Sequence, residues 1–181
     1  MNPALMATLR TITHFGLYAA FGLPIGVSPL HADEVSVDMM QAKMTGVYVL
    51  EAWQRDGETF RPPQADGRLI IVNGAFMTIL DNRTQPPVRV TTALIGKYEM
   101  TPGRFAYGYD DVSIFTEEAD AATASHKPLW DGMRGFVASM ESEFLRLRQE
   151  NGTREFLFTD EGLDYFENGK LLRKWHRTTG K

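Results

Sequence analysis

In the stretch Arg104-Phe-Ala-Tyr-Gly-Tyr109, three aromatic residues alternate with small or charged ones. An extended chain therefore puts Phe105, Tyr107 and Tyr109 on one face. Turned into a cavity, these rings would offer a large apolar area with two phenol tips, suited to an aromatic or isoprenoid-like molecule. Turned outward, they would form cross-strand pairs or an interface. Tyr98, a few residues earlier, joins them as a candidate ligand contact. Arg134 shares a period-two face with Phe136, Ala138 and Met140. An arginine there either anchors a ligand carboxylate inside a barrel or lies in water at the strand end.

Four histidines are present. His14 and His31 fall in a segment expected to be removed, and His176 alternates with Arg177 onto an outer surface. That leaves His126, beside Trp130, as the candidate general acid or base, with a solvated loop histidine as the alternative. Trp130 itself is a candidate ligand contact.

Other chemistries lack their residues. No cysteine is present, so disulfides, thiolate metal sites and cysteine nucleophiles are excluded. The histidines show no metal-ligand spacing, and no nucleophile elbow or phosphate-cradling glycine loop occurs. Asp110-Asp111 and Glu117-Glu118 read as solvated charge or weak calcium ligands. No resident metal or cofactor is expected. The net charge is -4 and the basic residues are scattered, as in Arg173-Lys174, so nucleic acid is not an expected partner.

The elements that must position these residues begin after the N-terminus. Arg10 is the only charged residue before Asp33, and the apolar run Phe15–Val27 follows it, ending near Ser28-Pro29-Leu30-His31-Ala32. That order is the pattern of a secretory signal peptide, with Ala32/Asp33 the preferred cut. The run is short for a membrane span of ~20 residues, so no stable span is expected in the mature form. Removal of residues 1–32 takes away Arg10 and no acid, making the mature charge -5.

Residues 33–44 read as a short helix with Val35, Met39, Met40 and Ala42 on one face, or as a flexible leader. From residue 45 the period becomes two. Asn73-Gly74, Asn151-Gly152 and Asn168-Gly169 each sit between apolar or aromatic runs, the strongest short signal for a hairpin. Pro102-Gly103 and Asp160-Glu-Gly162 add further turns. The expected fold is all-β: a single antiparallel up-and-down barrel of about 8–10 strands over residues 45–178. The Ala-rich segment Glu117–Ser125 suits a strand poorly and is expected to form a long loop over a barrel end.

Several runs, taken in order, carry a family likeness. Gly46-Val-Tyr48-Val-Leu50-Glu-Ala-Trp53 resembles the opening strand of lipocalin-like domains, with Tyr48 where the family has Trp. Asp66–Met77 is similar to a Gly-x-Leu/Ile hairpin of bacterial lipocalin-like proteins, and Gly96–Gly103 to their Gly-x-Tyr strand entry. Tyr165–Arg177 resembles a closing hairpin that ends Trp-x-Arg. The resemblance covers most of residues 45–177. It implies a calycin-type barrel with Tyr48 inside the closed end, and Trp175 and Arg177 beside it in a structural closure. It also implies a ligand-holding barrel, in a family that includes carriers and a few enzymes.

The expectation is a periplasmic or secreted lipocalin-like protein that binds a small, largely apolar or aromatic molecule in its barrel. The alternative is an isomerase, cyclase or lyase using the same cavity, with His126, a tyrosine from 98, 107 or 109 and an inward arginine sharing the acid–base and orienting roles. Oligomeric state is not legible.

Overall fold

At Asn73-Gly74 both residues take positive φ (47° and 80°), as they do at Asn168-Gly169 (52° and 73°). Positive φ at both central positions matches the right-handed twist of the flanking strands and closes a tight hairpin. Asp56-Gly57 does the same at 54° and 84°. Asn151-Gly152 is built differently. Only Gly152 is left-handed (φ 73°), and the Asn151 side-chain oxygen instead accepts a bond of 3.0 Å from the Thr153 backbone N–H in a longer loop.

The computed structural model describes residues 34–126 and 131–178. The expected signal segment and Trp130 lie outside the described residues. In chain order the elements are α1 (Val37–Met44), β1 (Gly46–Arg55), β2 (Glu58–Phe60), β3 (Ala65–Val72), β4 (Ala75–Gln85), β5 (Val88–Thr101) and β6 (Arg104–Glu118). They continue with β7 (Ala121–His126), β8 (Arg134–Glu141), β9 (Phe144–Gln149), β10 (Arg154–Phe158), β11 (Gly162–Glu167) and β12 (Lys170–Arg177).

Neighbouring strands pair antiparallel, and β12 pairs with β1 through Tyr48↔Arg177, Val49↔His176 and Leu50↔Trp175. That last pairing closes ten strands of the sheet into an up-and-down barrel. β2 extends the end of β1, and β7 pairs with the distal half of β6. The predicted fold class is therefore the observed one, and a closed barrel of this kind is compatible with a calycin-like fold.

Two local expectations are corrected. The Ala-rich stretch is not a long loop: Glu118 pairs with Ala121, so Ala119-Asp120 is a two-residue turn and β7 runs back along β6. β7 is exposed along its whole length, and the backbone hydrogen bonds of β6 impose strand geometry on residues of low strand propensity. The helix forms, but its buried residues are Met40 and Met44, while Met39 is 46% exposed. Ser36 caps it by accepting from the Met39 N–H at 3.2 Å, and that start phases the buried stripe onto 40 and 44 rather than 39 and 42.

The helix sits on the closed end of the barrel. Met44 gives its carbonyl to the Tyr48 hydroxyl at 2.7 Å, and Lys43 bridges to Asp160 in the β10–β11 turn at 2.7 Å. Among the described residues no helix is long and apolar enough to cross a membrane.

Candidate functional site

Interior side chains of the barrel leave a cavity of about 360 Å³, within the range of small-molecule pockets. Met44 and Phe158 lie toward the helix-capped end, and Trp53, Tyr109, Arg154 and Glu167 toward the other. Tyr98, Phe105, Tyr107 and Tyr109 all line it. Alternation in β5 and β6 turns these four the same way, and Tyr98 pairs directly with Tyr107.

The aromatic wall is continuous. Phe105 packs against Tyr98 at 5.8 Å and Tyr107 at 6.1 Å between ring centroids, and Phe76 meets Tyr107 edge-on at 5.7 Å and Tyr109 at 5.5 Å. Gly96 makes room for this. A Cβ there would lie 2.4 Å from the Phe76 ring and 2.3 Å from the Gly108 carbonyl, so only glycine lets that ring lie against the strand.

Strand register places a second row opposite. Phe156, Tyr165, Arg173 and Trp53 are successive cross-strand partners through β10, β11, β12 and β1. Phe156 stacks on Tyr165 at 5.0 Å, and the Arg173 guanidinium lies 4.6 Å from the Trp53 ring and 5.8 Å from Tyr165. One register step away, Arg154 gives Nε to the Tyr165 hydroxyl (3.1 Å) and to Glu167 (3.2 Å).

β-Bulges bring this row together. Between Leu50 and Ala52 the β1–β12 register slips, which turns Trp53 inward although simple alternation from Tyr48 would turn it out. A second slip, opposite Tyr165 and Phe166, leaves Leu172 unpaired. Leu172, Arg173 and Trp175 all line the cavity.

The polar groups are held in defined states. Burial raises the hydroxyls of Tyr107, Tyr109 and Tyr165 above the ordinary phenol value, which keeps all three neutral at neutral pH. Burial also pushes Arg173 down, but a guanidinium keeps its proton. Removing an unpaired cation from water costs several kcal/mol, whereas a ring contact returns roughly 0.5–2 kcal/mol. Among the buried donors of this lining, Arg173 Nε and the Tyr98 hydroxyl stand without a hydrogen-bond partner.

The chain was compared with protein-family models, curated proteins and solved structures. None of them matches it. The site must therefore be read from its own geometry.

The remaining candidates lie elsewhere. His126 is not in a loop over the barrel mouth; it sits in β7 on the outer face, 72% exposed at its side chain. Its ring nitrogens contact Ser113 Oγ and Asp111 Oδ1, each at 3.0 Å. The β6 residues 105, 107 and 109 point inward, and a register slip at Asp110 leaves 111 and 113 pointing out, so His126 cannot reach a molecule in the cavity. Arg134 is not among the cavity-lining residues either. It is the last β8 residue paired with β6, opposite Tyr107, which puts it at the strand end.

Tyr48 is fully buried, and Arg177 donates to its hydroxyl at 2.8 Å with the guanidinium 5.3 Å from its ring. Trp175 is buried two register pairs further along the same seam and faces the cavity. Among the described residues no cluster of three His, Asp or Glu side chains could hold a metal ion.

The residues that sequence reasoning missed are Trp53, Phe76, Arg154, Phe156, Tyr165, Glu167 and Arg173. A signal for some was present: Arg154, Phe156 and Phe158 share one strand face, as do Leu163, Tyr165 and Glu167.

Proposed function

We propose that this chain binds a small, largely apolar organic molecule inside its barrel. The observation that carries the reading is the 360 Å³ cavity walled by Tyr98, Phe105, Tyr107, Tyr109 and Phe156. A core whose only task is stability is filled to crystal-like density, and a void of this size gives up contact energy that a ligand would restore.

The test is titration with an apolar fluorescent probe, with thermal midpoints measured alongside. Tyr107→Phe keeps the ring and removes the hydroxyl, so affinity should fall by roughly 0.5–1.5 kcal/mol if that hydroxyl bonds the ligand. The midpoint should change little. A wild-type protein that binds no apolar probe would reduce the ladder to core and reject the carrier reading.

The second reading is a lyase, isomerase or cyclase in the same cavity, favoured by the convergence of three phenols and a carboxylate. Its difficulty is electrostatic. Burial keeps the phenols protonated, and Glu167 is held by Arg154, so the cluster is poorly suited to withdrawing protons.

We also propose that the chain acts outside the cytoplasm, in a periplasm or secreted, after loss of its N-terminal segment. The support is Arg10 followed by Phe15–Val27 and the small residue Ala32. N-terminal sequencing of protein from the cell envelope should begin near Asp33. Recovery of Met1 on cytoplasmic protein would reject it.

A further inference from the structure

Three charged side chains line the cavity: Arg154, Glu167 and Arg173. Glu167 is engaged by Arg154 and lies 3.3 Å from the Tyr165 hydroxyl. Arg173 has no hydrogen-bond or ion-pair partner among the described residues, and its Nε is buried. Its cross-strand neighbours on either side are rings, Tyr165 and Trp53, rather than carboxylates. The lining thus carries a net charge of +1 inside a protein whose net charge is -4.

We propose that the molecule held in the cavity carries an anionic oxygen group, a carboxylate or sulfonate, and that Arg173 receives it. This rests on the cavity being a ligand site. The rings that flank Arg173 lie 4.6 Å (Trp53) and 5.8 Å (Tyr165) from its guanidinium carbon, and neither ring offers the charged oxygen acceptor that a guanidinium pairs with. A planar fork of donors matches the paired oxygens of an oxyanion.

No anionic group of the site serves Arg173 in that way: the one carboxylate of the lining is already shared between Arg154 and Tyr165. An anion entering with an aromatic or aliphatic body would leave that body against Phe76, Phe105 and Phe156. The inferred ligand class is therefore an amphipathic organic acid, in preference to a neutral hydrocarbon or an amine.

Two probes with the same arylamine–naphthalene body separate the inference from the reading beneath it. One is 1-anilinonaphthalene-8-sulfonate, which is anionic, and the other is N-phenyl-1-naphthylamine, which is neutral. The purified wild-type protein should bind the sulfonate at least tenfold more tightly. Arg173→Met should abolish that preference, so that the two probes bind within about twofold of one another, and Arg173→Lys should recover part of it. Equal or tighter wild-type binding of the neutral probe overturns the anion proposal while the apolar-cavity reading stands. Binding of neither probe overturns both. An unchanged preference in a folded Arg173→Met protein means the anion lies elsewhere and overturns the assignment to Arg173. Because the wild-type comparison needs no variant, failure of Arg173→Met to fold still leaves a deciding result.

Discussion

Phe136→Ala is expected to destabilise the protein by roughly 3–5 kcal/mol, the range for truncating a fully buried phenylalanine. Phe136 has no solvent exposure and sits where three aromatic contacts meet: Phe105 at 5.9 Å, Tyr107 at 5.6 Å and Phe156 at 5.4 Å between centroids. It belongs to β8, between the β6 ladder and the β10 row, yet it does not line the cavity. Its ring therefore acts as the support behind the rings that do.

The cost has two parts, the lost transfer free energy of the ring and the void it leaves. Partial collapse of Tyr107 or Phe156 into that void sets where in the range the value falls. At roughly 3 °C per kcal/mol for a chain of this size, the thermal midpoint should drop by about 10 °C. Phe136→Leu refills most of the volume and should recover more than half of the loss. A midpoint shift under about 3 °C for the alanine variant would mean that the β8 wall is loosely packed and that the cavity boundary drawn along it is wrong.

Much of the barrel was legible because its signals are local. Asn73-Gly74 and Asn168-Gly169 need positive φ at adjacent residues, and few sequences other than Asn-Gly accept that without strain. Alternation in Arg104–Tyr109 likewise holds along one uninterrupted strand. What was not legible depends on register between strands distant in the chain. Trp53 reads as outward until the slip opposite Lys174 is known, because one extra residue exchanges the faces of everything beyond it.

The choice of arginine failed for a related reason. Arg134 and Arg154 both begin strands in which apolar residues follow at period two. Only pairing distinguishes them: Arg154 faces Glu167 beside the cavity, while β8 runs out of β6 partners at Arg134. His126 was misplaced because the tertiary partner of β7 overrode its Ala-rich composition. Arg173 alternates with Trp175 and Arg177 along β12. Nothing in a sequence distinguishes an arginine paired with a carboxylate from one left over a tryptophan.

Arg177→Met should cost about 2–4 kcal/mol, and the loss should be centred on the seam that closes the barrel. Arg177 is the last residue of β12 and pairs with Tyr48 of β1, so it stands where the end of the sheet meets its beginning. One guanidinium nitrogen donates to both the Tyr48 hydroxyl and the Lys43 carbonyl, and the group lies over the Tyr48 ring. The arginine thus ties β12, β1 and the last turn of α1 to one another. Hydrogen bonds from a charged donor contribute about 1.5–3 kcal/mol each, though two from one group do not add fully. The cation–π contact adds roughly 0.5–2 kcal/mol, and the methionine stem keeps part of the apolar contact.

Arg177→Lys should not restore the wild-type value, since a lysine ammonium lacks the flat fork that lies over the ring while reaching two acceptors. Tyr48→Phe should be milder, because it removes the hydroxyl that bonds Arg177 and Met44 but keeps the fully buried ring. Denaturant unfolding of the two single variants and the double variant gives the coupling directly. If the tie is real, the double variant loses less than the sum of the singles by about 1 kcal/mol or more. Strict additivity would show that Arg177 and Tyr48 act separately, and the seam would then be held by backbone pairing alone. Amide exchange offers a second reading of the same tie. In Arg177→Met the N–H groups of Thr178 and Arg177, which bond Val47 and Glu161, should lose protection before those of the β5–β6 pair.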